Sequence, residues 1–304
     1  MTTVAVIGGG TMGADIAVVF ARAHCAVHIA ETDPHRRIAL RERLSRELAG
    51  EPAQPPVVHV AQDALPWDAV DIAIECVPEA LPLKRSVFAA MEGLARPDAL
   101  LTSNSSSFPI SAIAGDLPTA RRMFGLHFFM PAHLVPLVEV VCGAASDAAL
   151  ARTLVQLMRD SGKVPVLVRR DLPGFLANRM QHALAREAFA LIDAGIATPA
   201  DVDAAVRFGF GFRFLAAGPV LQRDHAGLDI HCAAAATMYP TLAANAEPAR
   251  VLREHVARGE LGMKTGRGFY EWTPATIAAE RARYEALLRA ALELVRADLP
   301  KEKD

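Results

Sequence analysis

The sequence predicts an α/β fold, a doubly wound and mainly parallel sheet, followed by an all-α C-terminal domain. Three observations predict it. The run Val4-Ala5-Val6-Ile7 is strand-like and passes directly into Gly8-Gly9-Gly10-Thr11-Met12-Gly13, a Gly-x-Gly-x-x-Gly turn. Apolar runs then alternate with amphipathic stretches as far as Val168, the order of repeated βαβ units. From Asp171 onward only helical patterns remain. A glycine turn between a strand and a helix is the Rossmann fingerprint. Gly8 permits the tight turn, Gly10 lets a pyrophosphate approach the backbone, and Gly13 lets the helix pack on the strand.

The helix after the turn carries Met12, Ile16, Val19, Phe20 and Ala23 at helical spacing, with Thr11 and Met12 at its phosphate-facing end. A second strand at 26–30 ends at Glu31, which stands 18 positions after Gly13, where an acid that accepts both ribose hydroxyls belongs. A carboxylate there repels a 2′-phosphate, so the cofactor expected is NAD rather than NADP, although Arg36 and Arg37 lie close by. A helix through about Ala49 and a Pro-rich loop at 51–56 follow. Further strands are expected at 57–60, 70–76, 99–103, 123–129, 137–142 and 164–168, with helices at 84–94 and 147–161 between them.

Pro173 and Gly174 mark the change of pattern, and the domain boundary is placed near Arg170, giving domains 1–170 and 171–304. In the second, helices are expected at 174–194, from Thr198-Pro199-Ala200-Asp201 with its capping hydroxyl, and at 219–244, 248–259 and 275–297. The last has Ile277, Tyr284, Leu288, Ala291, Val295 and Leu299 on one stripe, expected to pack mainly on its own domain. A helical domain that completes its core by pairing with a second copy gives a homodimer.

Composition narrows the function. A formal net charge of −2 with interspersed signs offers neither a nucleic-acid face nor a polybasic membrane tract, so a small-molecule substrate is expected. Cys25, Cys76, Cys142 and Cys232 are scattered without a Cys-x-x-Cys pair, and His133 and His225 have no partners at metal-ligand spacing; no metal is expected. With no leader pattern and no long apolar run, the expected location is the cytoplasm.

The segment richest in chemistry runs from Gly125 to Val141. Two apolar runs flank a Pro-bounded loop, and positions 127 and 139 are equidistant from 133. Antiparallel pairing about that midpoint sets His127 opposite Glu139 with Cβ atoms about 4.5–5.5 Å apart. A carboxylate on one ring nitrogen fixes the tautomer and raises the basicity of the other, as a general base requires. A structural ion pair in a hairpin fits the same pattern. Ser103-Asn104-Ser105-Ser106-Ser107 follows a strand at the ligand edge of the sheet, suiting either a substrate hydroxyl or a capped turn. Asn178, one turn into the first helix of the second domain, suits either a substrate carbonyl or solvent.

In this order the motifs resemble the L-3-hydroxyacyl-CoA dehydrogenase family over nearly the whole chain. The resemblance rests on the glycine turn, Glu75-Cys76-Val77-Pro78-Glu79 with Lys84, the Ser-Asn-Ser-Ser-Ser run, Gly125-Leu126-His127-Phe128-Phe129 with Pro131, and Leu137-Val138-Glu139-Val140-Val141. It continues through Asp171-Leu172-Pro173-Gly174-Phe175 with Asn178-Arg179, Gly227-Leu228-Asp229, and Gly262 to Tyr270. It implies an NAD-dependent dehydrogenase that oxidises a 3-hydroxyacyl alcohol to the ketone, a reaction of fatty acid metabolism. His127 is then the base held by Glu139, Ser106 binds the hydroxyl, Asn178 binds the neighbouring carbonyl, and Glu79, Lys84 and Asn104 lie along the cofactor.

Two departures open alternatives. Met130 stands where the family has asparagine, and Ala80 where asparagine is common after the glutamate. Ile74 lies only 43 positions after Glu31, too short for the helical hairpin that helps hold CoA in thioester-using members. The alternatives are a dehydrogenase of a non-CoA hydroxy acid or similar alcohol, and an NAD-binding protein with little catalysis. A 6-phosphogluconate or 3-hydroxyisobutyrate type enzyme needs a lysine base in the second domain, and no lysine occurs between Asn178 and Gly259.

Overall fold

The protein is described by a computed structural model covering residues 1–300. Its contacts divide the chain into two compact units: Met1–Arg179 together with the segment from Arg296, and Met180–Val295.

The first unit is built on one eight-stranded sheet of order β3-β2-β1-β4-β5-β6-β7-β8. Its strands are β1 (Thr3–Ile7), β2 (Ala26–Ala30), β3 (Val57–His59), β4 (Ile72–Glu75), β5 (Leu100–Ser103), β6 (Met123–Phe128), β7 (Leu137–Cys142) and β8 (Val164–Val168). All neighbours are parallel except β6 and β7. Parallel neighbours need a crossover, supplied by α1 (Thr11–Arg22), α2 (Pro34–Glu47), α3 (Leu81–Leu94) and α5 (Ala148–Asp160). The short α4 (Ile110–Ala114) lies between β5 and β6. Between β6 and β7 only the loop 129–136 intervenes, and a link that short returns the chain antiparallel.

Strand alternation loads both faces of the sheet. Val4 and Val6 join the core that includes Ile16, Phe20, Leu40 and Leu154, while Ala5 and Ile7 join Phe88, Met91 and Ile113 on the other side. Each fully buried side chain of this size contributes roughly 1.5–3 kcal/mol. Gly13 shows how tightly α1 sits on β1, since a Cβ there would lie 1.9 Å from the Gly8 carbonyl oxygen. Asp33 caps α2, its carboxylate accepting from the His35 and Arg36 N–H groups, and Asp147 caps α5 in the same way. Gly10 starts α1 with no side-chain cap, leaving its first N–H groups bare at the carboxyl edge of the sheet.

The helical part comprises α6 (Ala177–Asp193), α7 (Pro199–Ala205), α8 (Gly211–Arg213), α9 (Leu221–Ala226), α10 (Leu228–Met238), α11 (Arg250–Ala257) and α12 (Pro274–Leu294). Two expectations are corrected. The helix expected from Gly174 starts at Ala177, because Gly174 (φ 76°) and Phe175 (φ 47°) are left-handed. The single helix expected over 219–244 is broken by Gly227 (φ 94°) into α9 and α10, and a 3₁₀ turn at Tyr239–Thr241 follows.

Within Met180–Val295, Ala217 alone among the described residues is buried. On the α12 stripe Ile277, Leu288, Ala291 and Val295 are half-buried, and Tyr284 is exposed. Phe208 and Phe212 are 72% and 70% exposed, and Val220, Leu228, Ile230 and Leu294 are equally open. So small a fully buried core contributes little against the ordering entropy of more than a hundred residues, roughly 1–2 kcal/mol per residue for the backbone alone.

Candidate active site

His127 pairs with Glu139 in the β6–β7 register, flanked by Leu126 with Val140 and Phe128 with Val138. Both side chains are buried, and Nδ1 of His127 lies 2.8 Å from Oε2 of Glu139. Burial by itself raises the Glu139 pKa. The His127 hydrogen bond and the backbone N–H groups of Ala177 and Leu176 outweigh it and hold the carboxyl below its ordinary value. An ionised carboxylate only accepts, so Nδ1 carries the proton and Nε2 presents a lone pair. That lone pair faces Ser106 Oγ at 3.0 Å.

The turn before α6 completes this arrangement. Leu176 and Ala177 N–H both donate to Oε1 of Glu139, at 3.0 and 2.8 Å. They point there because Phe175 is left-handed, a conformation uncommon for a bulky side chain. The Phe175 ring is buried 5.5 Å from the imidazole centroid, and Phe129 lies 4.6 Å from it. Phe129 and Phe175 thus restrict rotation of the ring. Asn178 is half-buried on the first turn of α6 and shares no hydrogen bond with His127 or Ser106.

A buried ionic network holds the serine run. Lys84 and Glu75 are both shielded from solvent and joined at 2.9 and 3.0 Å, and Lys84 also reaches Glu79 at 3.1 Å. Removing one partner of such a pair costs about 3–5 kcal/mol. Glu75 accepts from Ser103 Oγ, and one oxygen of Glu79 accepts from Ser105 Oγ, Ser107 N–H and Ser107 Oγ. The neighbours of Ser106 on both sides are therefore fixed to one carboxylate. Asn104 Oδ1 accepts the Phe128 N–H at 2.8 Å, tying the end of β5 to β6. Lys84, expected along the cofactor, is buried and spends its charge on the two glutamates and the Val77 carbonyl.

The glycine turn fits a dinucleotide. A Cβ on Gly10 would project into open space, whereas one on Gly8 would lie 2.8 Å from the Cys76 carbonyl oxygen. The open side is where bare N–H groups at the start of α1 meet an anion. Glu31 is held above it, Oε2 accepting from Gly9 N–H at 3.1 Å and Oε1 from Asp33 N–H at 2.9 Å. Thr11 is exposed and Met12 half-buried at the same helix end. Among the described residues no cluster of three metal-ligating side chains occurs, and no helix is long and apolar enough to cross a membrane.

Sequence reasoning missed two contributors, Glu75 as an ionic partner and the N–H groups of 176–177, and it passed over the buried Asp15. Asp15 carried a signal, being a carboxylate among Gly13, Ala14, Ile16 and Ala17 on an apolar helix. The N–H groups of 176–177 meet Glu139 from 37 and 38 positions away, whereas Glu75 lies only nine positions from Lys84 and gave no sign that the two pair.

The model of the 3-hydroxyacyl-CoA dehydrogenase NAD-binding domain matches residues 3–172, and that of the family's C-terminal domain matches residues 174–272. The chain is 32% identical to 5-formyl-3-hydroxy-2-methylpyridine 4-carboxylate 5-dehydrogenase of Mesorhizobium japonicum, covering 95% of this chain and 98% of that one. It is 31% identical to a probable 3-hydroxybutyryl-CoA dehydrogenase of Bacillus subtilis, over 89% of this chain and 97% of that one. A crystal structure of the pyridine carboxylate enzyme, an NAD⁺-dependent dismutase, superposes with a TM-score of 0.90 at 30% identity, covering 97% and 99% of the two chains.

The Glu79 network makes a pH prediction. Burial raises its pKa, but hydrogen bonds from Ser105 and Ser107 and the charge of Lys84 bring it down to about 2. A depressed carboxylate contributes stability that is present above its unfolded value and lost as pH falls through the folded one. Glu79→Gln is expected to cost most near neutrality, with the deficit against the parent chain shrinking from about pH 5 down to about pH 2. Urea unfolding across that range measures it.

Proposed function

The chain belongs to the 3-hydroxyacyl-CoA dehydrogenase family, and on that footing we propose that it oxidises a 3-hydroxyacyl-type alcohol to the ketone with His127 as base. It is an NAD-dependent oxidoreductase. The observation carrying the proposal is the imidazole bonded to Glu139 through Nδ1 and to Ser106 through Nε2. Gly8, Gly10, Thr11, Met12 and Gly13 would hold the pyrophosphate of NAD, Glu31 the adenine-side ribose, and Glu79 and Asn104 the edge nearer the serine run. NAD supplies the hydride acceptor when bound.

The chain's own work is proton transfer and placement. Ser106 Oγ occupies a hydroxyl's place in front of the Nε2 lone pair and orients the substrate hydroxyl there. His127 takes the proton at Nε2 as the carbon–hydrogen bond gives up its hydride. The imidazolium so formed lies beside an anion already fixed by two N–H groups, so no charge is left uncompensated in a buried place. Asn178 is assigned to the carbonyl next to the reacting carbon.

A second reading has its own support. Between β2 and β3 only α2 and the loop 48–56 occur, and Met130 is 66% exposed in place of the family's asparagine. The relative at 98% coverage is a dehydrogenase of a pyridine carboxylate. These favour a non-CoA hydroxy acid or similar alcohol in the same site, on which reading fatty acid metabolism is not its setting. The third reading, NAD binding with little catalysis, has only Met130 for it. We place the protein in the cytoplasm, in keeping with four free cysteines among the described residues. We also propose that the exposed apolar surface of Met180–Val295 is covered by a second copy, as a homodimer. Sedimentation velocity is expected to return twice the chain mass, and a monomer at micromolar concentration removes that assignment.

His127→Ala and Glu139→Gln are expected to lower kcat by about 10²- to 10⁴-fold, or roughly 3–5 kcal/mol of barrier, with little change in NADH affinity. Fluorescence titration with NADH beside steady-state kinetics checks this, and equal loss of both quantities removes the assigned roles. Turnover of 3-hydroxybutyryl-CoA against free 3-hydroxybutyrate separates the substrate readings. Preference for the thioester supports the first and preference for the acid the second, while NADH binding without turnover of any hydroxy acid or thioester leaves the third.

A further inference from the structure

Asp15 is a carboxylate 1% exposed on the helix that begins at the glycine turn, and none of the roles assigned above uses it. Its Oδ2 accepts the Ala132 N–H at 3.0 Å. Its Oδ1 pairs with the Arg43 guanidinium from α2 and lies 3.3 Å from Nδ1 of His133. The carbonyl of the same Ala132 is taken from the other side by Lys163, just after α5, at 2.6 Å; that ammonium also holds the Val135 carbonyl at 3.1 Å. Lys163 is buried as well. Both polar groups of one residue in the 129–136 loop are thus gripped by buried charges of opposite sign.

This loop joins His127 to Glu139, and its first residue, Phe129, packs on the imidazole. A buried carboxylate that spends a hydrogen bond on a loop 117 positions away is costly to desolvate unless its partners are fixed. Arg43 and Lys163 fix them.

We propose that Asp15 is a positioning residue, fastening the loop that carries Phe129 to the cofactor-binding helix so that the substrate side of His127 stays in register with the nicotinamide. The proposal rests on His127 being the base. Its leverage comes from geometry, since a misplacement of about 1 Å at a reacting centre can cost on the order of 10²-fold. Arg43 holds the carboxylate in place and Lys163 holds the Ala132 carbonyl from the opposite side. The residue acts through Ala132 and touches neither substrate nor cofactor.

The test compares Asp15→Ala, which deletes the acceptor, with Asp15→Asn, which keeps an oxygen for the Ala132 N–H while losing the charge. Lys163→Met releases the carbonyl side. The first readout is amide exchange of the 129–136 segment, which needs no substrate: it is expected to quicken in Asp15→Ala and Lys163→Met and to quicken clearly less in Asp15→Asn, which keeps the acceptor for Ala132 but gives up the Arg43 pair. The second is kcat per NADH-binding site, with acetoacetyl-CoA and acetoacetate as probes. It is expected to fall at least about tenfold in Asp15→Ala and Lys163→Met and to stay within about threefold in Asp15→Asn, with NADH affinity held in all three. A merely structural role would lower the melting temperature without separating alanine from asparagine.

Parent-like exchange in Asp15→Ala, or an Asp15→Asn as impaired as Asp15→Ala, overturns the proposal. If Asp15→Ala does not fold, Lys163→Met against Asp15→Asn decides by the same two readouts. His127→Ala run alongside keeps the two claims apart. Full activity there overturns the assignment of the base, while the exchange pattern still judges the clamp.

Discussion

The hydrogen bond between His127 and Glu139 across the β6–β7 ladder is the interaction on which the rest of the site depends. Its strength comes from everything that keeps Glu139 ionised inside the protein. An isolated buried carboxylate would take up a proton, and a neutral carboxyl would no longer dictate which imidazole nitrogen carries hydrogen. Two backbone N–H groups at the start of α6 prevent this, and they are aimed by a left-handed phenylalanine whose own ring braces the imidazole. The tautomer of one side chain is therefore set by the strand register on one side and a helix start on the other.

The same logic recurs around the carboxyl edge of the sheet. Charges are buried only in company: Lys84 with Glu75 and Glu79, Asp15 with Arg43 and the loop backbone, Lys163 with two carbonyls. Each grips a segment that reaches the crevice. The Glu79 carboxylate fixes the neighbours of Ser106, and Asp15 fixes the loop beyond His127. A site assembled this way is pre-organised before any ligand arrives, so less reorganisation remains for the reaction step.

What could be read from the sequence was what repeats locally. The glycine turn, the acid at the end of β2 and the symmetric spacing of His127 and Glu139 about residue 133 all survive in the structure, the last as a register pair. Helix limits were less legible. Gly174 offered a break but Phe175 did not advertise a left-handed backbone, and the division of 219–244 at Gly227 rests on a positive φ that an isolated glycine does not announce. The ionic partners were least legible: Glu75 and Lys84 stand only nine positions apart, but nothing in their spacing says that they pair, and Asp15 and Ala132 meet only after the sheet has brought distant segments together. The open apolar surface of Met180–Val295 was likewise hidden, since a stripe of hydrophobic residues does not say what will cover it.

The most direct measurement of the central claim is the protonation of each ring nitrogen of His127, read from ¹⁵N chemical shifts of the neutral imidazole in labelled protein, assigned by comparison with His127→Ala. The structure requires hydrogen on Nδ1 and a lone pair on Nε2, with that preference lost in Glu139→Gln. Hydrogen on Nε2 in the parent protein would contradict it, because the nitrogen facing Ser106 would then have no means of accepting a proton.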